Sequence, residues 1–179
     1  IGYDKNTIVR YVKLISEALS IKITNDDIIN KEFYLFSKSK CLIPQTPYIV
    51  FVIGSTWQSR NYPKEKFTQV AQAIKKSCIV IWGNEKEKEK AEWMSSESNY
   101  IQVMPKLSLD DLKHVIDHAS LLIGNDTGPS HMSWALNIPS IILFGPTPIE
   151  RAFQTPINTV LSSSSKIDYN KLDKNDFSI

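Results

Sequence analysis

From Pro47 to Pro148, short and almost wholly apolar runs alternate with amphipathic stretches. Tyr48–Ile53 is nearly all apolar, as expected of a strand buried on both faces. Lys64–Lys76 sets Phe67, Val70, Ala71 and Ile74 on one face and predicts a helix. Cys78–Trp82 is a second buried strand, closed by Gly83, and Glu85–Ser96 a charged helix. Tyr100–Met104 predicts a third strand. Ser108-Leu109-Asp110-Asp111 carries a capping-box signature and opens a helix running to about Ala119. Leu121–Ile123, Pro129–Asn137 and Ser140–Phe144 continue as strand, short helix and strand. The rhythm is lost beyond Pro148, with Thr159–Leu161 as an additional edge strand. Strict alternation of this kind predicts an α/β fold: a Rossmann-like parallel sheet with helices on both faces and right-handed crossovers.

The first forty residues are built differently. Ile8, Val9, Val12, Ile15 and Leu19 recur at helical spacing over Thr7–Leu19, and a polar stretch and a Ser- and Lys-rich loop follow. Residues 1–46 therefore read as a lead-in or linker, and 47–179 as the domain. The chain opens on Ile1 rather than Met and ends without a tidy cap, as expected of a piece of a longer protein.

Composition narrows the function classes. The 179 residues suffice for one domain with a core. Lys plus Arg total 21 against 19 Asp plus Glu, a net charge of +2, which is no footprint for a nucleic-acid partner. Cys78 falls in a buried strand and Cys41 in an unrelated segment, so both are expected as reduced thiols in the cytoplasm. No apolar run reaches the roughly 18 residues of a membrane span, and no signal peptide is visible. His114 and His118 share a helix face without a third ligand and read as surface residues; no metal site is indicated.

In an open parallel sheet, ligands bind beyond the carboxyl ends of the strands. The loop after the fourth strand, Gly124-Asn125-Asp126-Thr127-Gly128-Pro129-Ser130-His131, joins strand to helix in very few residues. Gly128 lets a ligand approach the backbone, Pro129 suits a first helical turn, and the free N–H groups make an anion site fit for a diphosphate. An Asx- or Thr-capped turn with no ligand is the other reading. Asp126 would repel a diphosphate, so it is assigned to sugar hydroxyls, backbone N–H groups or a metal. His131 is either a phosphate contact or a packed capping residue. After the first strand, Ser55 and Thr56 offer hydroxyls and Arg60 a planar fork for phosphate, unless Arg60 is a solvated surface group. Glu85 at the second strand end is placed to take ribose hydroxyls, whereas Glu87 and Glu89 read as solvated helix charges. Met104 and Leu107 form either a slot for a base or part of the core.

Three of these motifs, in order, resemble the bacterial heptosyltransferases of lipopolysaccharide core synthesis. They are Ser55-Thr56 with Arg60 and Tyr62-Pro63; Gly83-Asn84-Glu85; and Asn125 to His131 with Ala135-Leu136-Asn137-Ile138-Pro139 and Gly145-Pro146-Thr147. The likeness covers about residues 47 to 150, and the loop Met104–Leu109 is more similar to heptosyltransferase I than to heptosyltransferase II. The resemblance implies one half of a GT-B glycosyltransferase, the half that binds ADP-heptose for inverting transfer to the Kdo of Kdo-lipid A. Ser55, Thr56 and Arg60 would hold the diphosphate and Glu85 the ribose. Asp126 would hold the heptose, with Thr127, Gly128 and His131 around the phosphates; Met104, from its place at the third strand end rather than from the resemblance, is counted with the donor-binding residues. Arg60, where the family usually has Lys, would stabilise the leaving group. The general base and the acceptor cleft belong to an amino-terminal domain absent here, so no catalytic residue is assigned and the chain alone is expected to be inactive. No cofactor is required by this resemblance, and magnesium, though compatible with a diphosphate, is not indicated. The full-length enzyme would work in the cytoplasm at the inner face of the inner membrane. A non-catalytic nucleotide-binding module, or a UDP-sugar transferase or epimerase of the same fold, are the competing readings.

Overall fold

The computed structural model describes residues 6–33 and 35–163. Six strands form one parallel sheet: β1 (Ile49–Val52), β2 (Cys78–Ile81), β3 (Ile101–Val103), β4 (Leu121–Asn125), β5 (Ser140–Phe144) and β6 (Asn158–Ser162). Their order is β3-β2-β1-β4-β5-β6, and every neighbouring pair is parallel. The helices are α1 (Thr7–Leu19), α2 (Asn25–Ile29), α3 (Lys64–Ile74), α4 (Glu85–Glu97), α5 (Leu109–Asp117) and α6 (Gly128–Ala135). Short 3-10 turns cover Gln58–Arg60 and Ile149–Arg151.

The strands are apolar throughout because both faces are covered, so alternate side chains serve two separate cores. From β1, Val50 and Val52 join Ile79, Ile81, Val115, Ile116 and Leu122 on the α5–α6 side. Phe51, with Ile49 and Ile53, points the other way to Phe67, Ala71, Val80, Ala91 and Met94 under α3 and α4. Burial pushes the Cys78 thiol up to about 11, and both cysteines are free. The capping box at Ser108 is present, its hydroxyl accepting from Asp111 N–H and the Asp111 carboxylate accepting in return.

The lead-in is more than a tether. Ser37 Oγ donates to Asp110 O, Lys38 N–H to the Asp110 carboxylate, and Lys113 Nζ to Phe36 O, while Leu35, Cys41 and Ile43 pack on the α5–α6 core. Helix α1, by contrast, buries no residue fully and leaves Tyr11, Leu14, Ile15 and Leu19 exposed. The short helix α2 falls in a stretch read from sequence as linker, although Thr24-Asn25-Asp26-Asp27 carries the same capping signature as Ser108–Asp111, and the box forms.

The strand order reverses between β1 and β4, whose neighbours leave in opposite directions. That is the switch point at which an open α/β sheet has its crevice.

Candidate functional site

Beyond the carboxyl ends of β1, β2 and β4 lies an open cleft of about 260 Å³. Gly54, Ser55 and Thr56 form one wall, Trp82, Gly83 and Glu87 another, and Thr127 and Pro129 a third. Val52, Ile81, Leu107 and Leu112 supply apolar surface. The Trp82 indole N–H donates to Met104 O at 2.7 Å, which fixes the ring against the end of β3.

The loop after β4 is held from below. Asn125 is fully buried, donates to Ile53 O at 2.8 Å and accepts from Tyr62 N–H at 3.0 Å, so one side chain ties β4 to the β1 loop. Gly124 is demanded by packing: a Cβ there would lie 2.5 Å from Val52 Cβ and 2.7 Å from Ser130 Oγ. Gly128 has neither constraint. Its φ is not positive, and a Cβ on it would meet nothing within 4 Å. It opens α6 onto the space between Thr127 and Pro129, two residues of the cleft wall. Thr127, the N-cap of α6, makes no side-chain capping bond, so the Thr-capped turn considered from sequence is not what forms.

Beside the cleft is a buried ionic cluster. Asp126 is 2% exposed and accepts from Thr147 Oγ1 at 2.9 Å; its other oxygen lies 3.1 Å from His131 Nε2. The Nε atoms of Arg60 and Arg151 lie 3.5 and 3.9 Å from Asp126 Oδ2. Burial alone would raise the Asp126 pKa, but the His131 hydrogen bond, the Arg60 charge and the Thr147 hydroxyl together hold it below the usual carboxylate value. Burial pulls the Arg60 guanidinium below its ordinary value, Asp126 opposes this, and Arg151 adds to it.

The structure thus brings Ser55, Thr56, Thr127 and Gly128 together around the cleft and gathers Arg60, Asp126 and His131 next to it. Four placements differ from the sequence expectations. Glu85 points away: its side chain is 75% exposed and pairs with Lys88. Glu87 faces the cleft instead. Its carboxylate accepts from Gly83 N–H and from Asn84 Nδ2, both at 2.7 Å, and is so close to β1 that a Cβ on Gly54 would come within 2.2 Å of it. The reason is helix geometry. Asn84 is the N-cap of α4, so the third helical residue reaches back over the helix start, and that residue is Glu87. Met104 is 4% exposed and belongs to the core behind the cleft, leaving Leu107 and Trp82 to form the apolar wall. Arg60 is no solvated arginine and does not line the cleft. It is 8% exposed, stacked 4.2 Å over the Trp57 ring and turned to Asp126. Asp126 is likewise covered: it is 2% exposed beneath Arg60, His131 and Thr147, so its burial rather than any lack of acceptor capacity keeps an outside hydroxyl from it. Sequence reasoning missed Trp82, Glu87 and Arg151 and gave Thr147, singled out in the Gly145-Pro146-Thr147 motif, no role; Asn84 with Glu87 three residues later was the available signal for one of them.

His114 and His118 stack on each other at 4.3 Å, and no group of three or more His, Cys, Asp and Glu side chains is placed to hold a metal among the described residues. Among the same residues no helix is long and apolar enough to cross a membrane.

A parallel sheet wound in both directions from its switch point, with helices on both faces and a cleft beyond the strand ends, defines a Rossmann-like α/β domain. Residues 1–176 match the model of glycosyltransferase family 9 (heptosyltransferase), and the chain belongs to that family. It is 37% identical to lipopolysaccharide heptosyltransferase 1 of Campylobacter coli over all of this chain and 58% of that protein. It is 33% identical to the Pseudomonas aeruginosa protein of the same name over 58% of this chain and 30% of that one. A solved structure of E. coli heptosyltransferase WaaC with ADP superposes with a TM-score of 0.74 at 20% identity, covering 99% of this chain and 55% of that one. The fold is accordingly one half of a two-domain GT-B glycosyltransferase, and the chain spans little more than half the length of the C. coli protein and of the WaaC chain.

Proposed function

We propose that this chain is the donor-binding part of a heptosyltransferase and that the cleft takes ADP-heptose. The observation that carries the reading is the placement of Glu87. A carboxylate anchored at the end of β2, across the switch point from an unobstructed helix start, is the arrangement that receives a ribose and a diphosphate together. Adenine lies against Trp82 and Leu107, the ribose hydroxyls donate to Glu87, and the diphosphate meets Ser55, Thr56 and the Gly128 N–H, since Pro129 has none and the Ser130 and His131 N–H groups donate to Thr127 O. The heptose extends toward the Asp126 cluster, where His131 is 39% exposed. In support, WaaC structures with ADP and with ADP-2-deoxy-2-fluoro heptose share the fold, at TM-scores of 0.74 and 0.67.

The chemistry of this half is leaving-group stabilisation. Negative charge grows on the diphosphate as the anomeric bond breaks, so fixed donors aimed at it favour the transition state over the ground state. The acceptor, the Kdo of Kdo-lipid A, and the general base that deprotonates it are assigned to an amino-terminal domain outside these residues. The chain alone then binds donor without turnover, needs no cofactor and acts, within the full enzyme, at the cytoplasmic face of the inner membrane.

Titration calorimetry with ADP-heptose, ADP and UDP tests the reading. ADP-heptose is expected to bind best and UDP worst, and Glu87→Gln to weaken both adenine nucleotides about tenfold, the weight of one hydrogen bond to a charged group. A preference for UDP moves the donor to another sugar nucleotide. Equal affinity for ADP and ADP-heptose points to a nucleotide-binding module with no use for the sugar.

A further inference from the structure

Two guanidinium groups converge on the single carboxylate of Asp126, so the cluster carries one positive charge more than it cancels. The two are not equivalent. Arg60 is 8% exposed and is covered by the Trp57 ring, 4.2 Å from the guanidinium carbon. The Arg151 side chain is 47% exposed. The charge presented to a ligand is therefore that of Arg151, although the first-loop position of Arg60 made it the natural phosphate ligand in the sequence.

Arg151 is also held in place. It ends the 3-10 turn Ile149–Arg151, and the residues on either side of it are tied to one side chain: Asn6 Nδ2 donates to Glu150 O at 2.9 Å and to Ala152 O at 2.7 Å. Asn6 is itself fixed as the N-cap of α1, accepting from Ile8 N–H at 2.8 Å. The lead-in segment thus clamps the turn that carries the arginine. Asp126, at which that arginine is aimed, immediately precedes Thr127 and the open start of α6. A guanidinium has five N–H donors in a planar fork, so one donor can stay with Asp126 while others reach a second acceptor.

We propose that Arg151 binds the diphosphate of the nucleotide sugar, on the Asp126 side of the cleft, and makes the site select a nucleoside diphosphate over a monophosphate. The proposal rests on the donor-site reading above. Arg60 becomes a positioning residue: it neutralises Asp126 from beneath and leaves the second guanidinium for the ligand.

Calorimetric titration of the chain with ADP and AMP, alongside Arg151→Gln, Asn6→Ala and Glu87→Gln, decides it. The unmodified chain is expected to prefer ADP. Arg151→Gln should lower ADP affinity about tenfold, as loss of one charge-assisted contact does, with AMP affinity held within about twofold. Asn6→Ala, which leaves every cleft residue intact, should shift the same ratio in the same direction by less. Glu87→Gln should weaken both nucleotides equally. An ADP/AMP ratio unchanged in Arg151→Gln, or a parallel loss of both nucleotides as a purely structural arginine would give, overturns the proposal and leaves the donor site standing. Failure of the unmodified chain to bind either nucleotide overturns the donor-site reading, and this inference with it.

Discussion

Asp126 is the residue whose environment has the most direct consequence. Its native pKa is depressed, because the His131, Arg60 and Thr147 contacts outweigh the desolvation that would raise it. A carboxyl depressed in the native state stabilises fully above its unfolded value of about 3.9 and loses that contribution as pH falls through the lower native value. Asp126→Asn should therefore cost about 3 kcal/mol at neutral pH, since it leaves the Arg60 guanidinium buried beside a neutral amide. The gap between mutant and unmodified chain should narrow below about pH 4. Urea midpoints at pH 7, 4 and 3 check this, and a gap independent of pH would mean that Asp126 is not the titrating group. Glu87 shows where charge pattern alone stops being readable and the helix cap takes over. In Glu85-Lys86-Glu87-Lys88-Glu89-Lys90 every acid looks alike. Only the register set by the Asn84 cap separates the one that turns back to the cleft from those that face water.

The glycines at the ends of β4 and α6 separate packing from binding. The buried strands and the order of elements were legible because a strand covered on both faces must be apolar along its whole length, as Ile49–Val52 and Cys78–Ile81 are. Less legible was what each loop glycine is for, since that depends on neighbours distant in sequence. Gly124→Ala drives a methyl into Val52 and Ser130, near the end of β4 and its junction with α6, and should cost about 1–3 kcal/mol. Gly128→Ala adds a methyl to open space at ordinary φ, so the melting temperature should hold or rise slightly. On the proposed donor reading the same methyl takes the room through which a diphosphate approaches the start of α6, and ADP affinity should fall. Thermal melts and ADP titrations of the two variants give opposite patterns if α6 is a ligand site. Equal ADP affinity in Gly128→Ala and the unmodified chain would remove the diphosphate from the start of α6.

For the molecule as a whole, the question is what residues 1–46 contribute to a domain whose cleft residues all lie beyond them. Their linker character was read from composition, but their contacts were not readable, because hydrogen bonds such as Ser37 to Asp110 and Lys31 to Asn137 leave no periodic trace. Two separate effects follow from those contacts. Ile28 is buried, and Leu35, Cys41 and Ile43 are packed on the α5–α6 core, so a chain beginning at Pro47 exposes apolar surface there. After the entropy of ordering the segment is set against that burial, a net loss on the order of 2 kcal/mol lowers the melting temperature by about 4–8 °C. The second effect is local. Without Asn6 the carbonyls of Glu150 and Ala152 lose their shared donor, and the turn bearing Arg151 is no longer fixed. The shortened chain should keep its affinity for AMP, which needs only the cleft, and lose most of its preference for ADP. Melting curves and paired AMP and ADP titrations measure the two effects independently. A shortened chain that melts lower but still favours ADP as the full chain does would show that the lead-in supports the core alone and plays no part in the site.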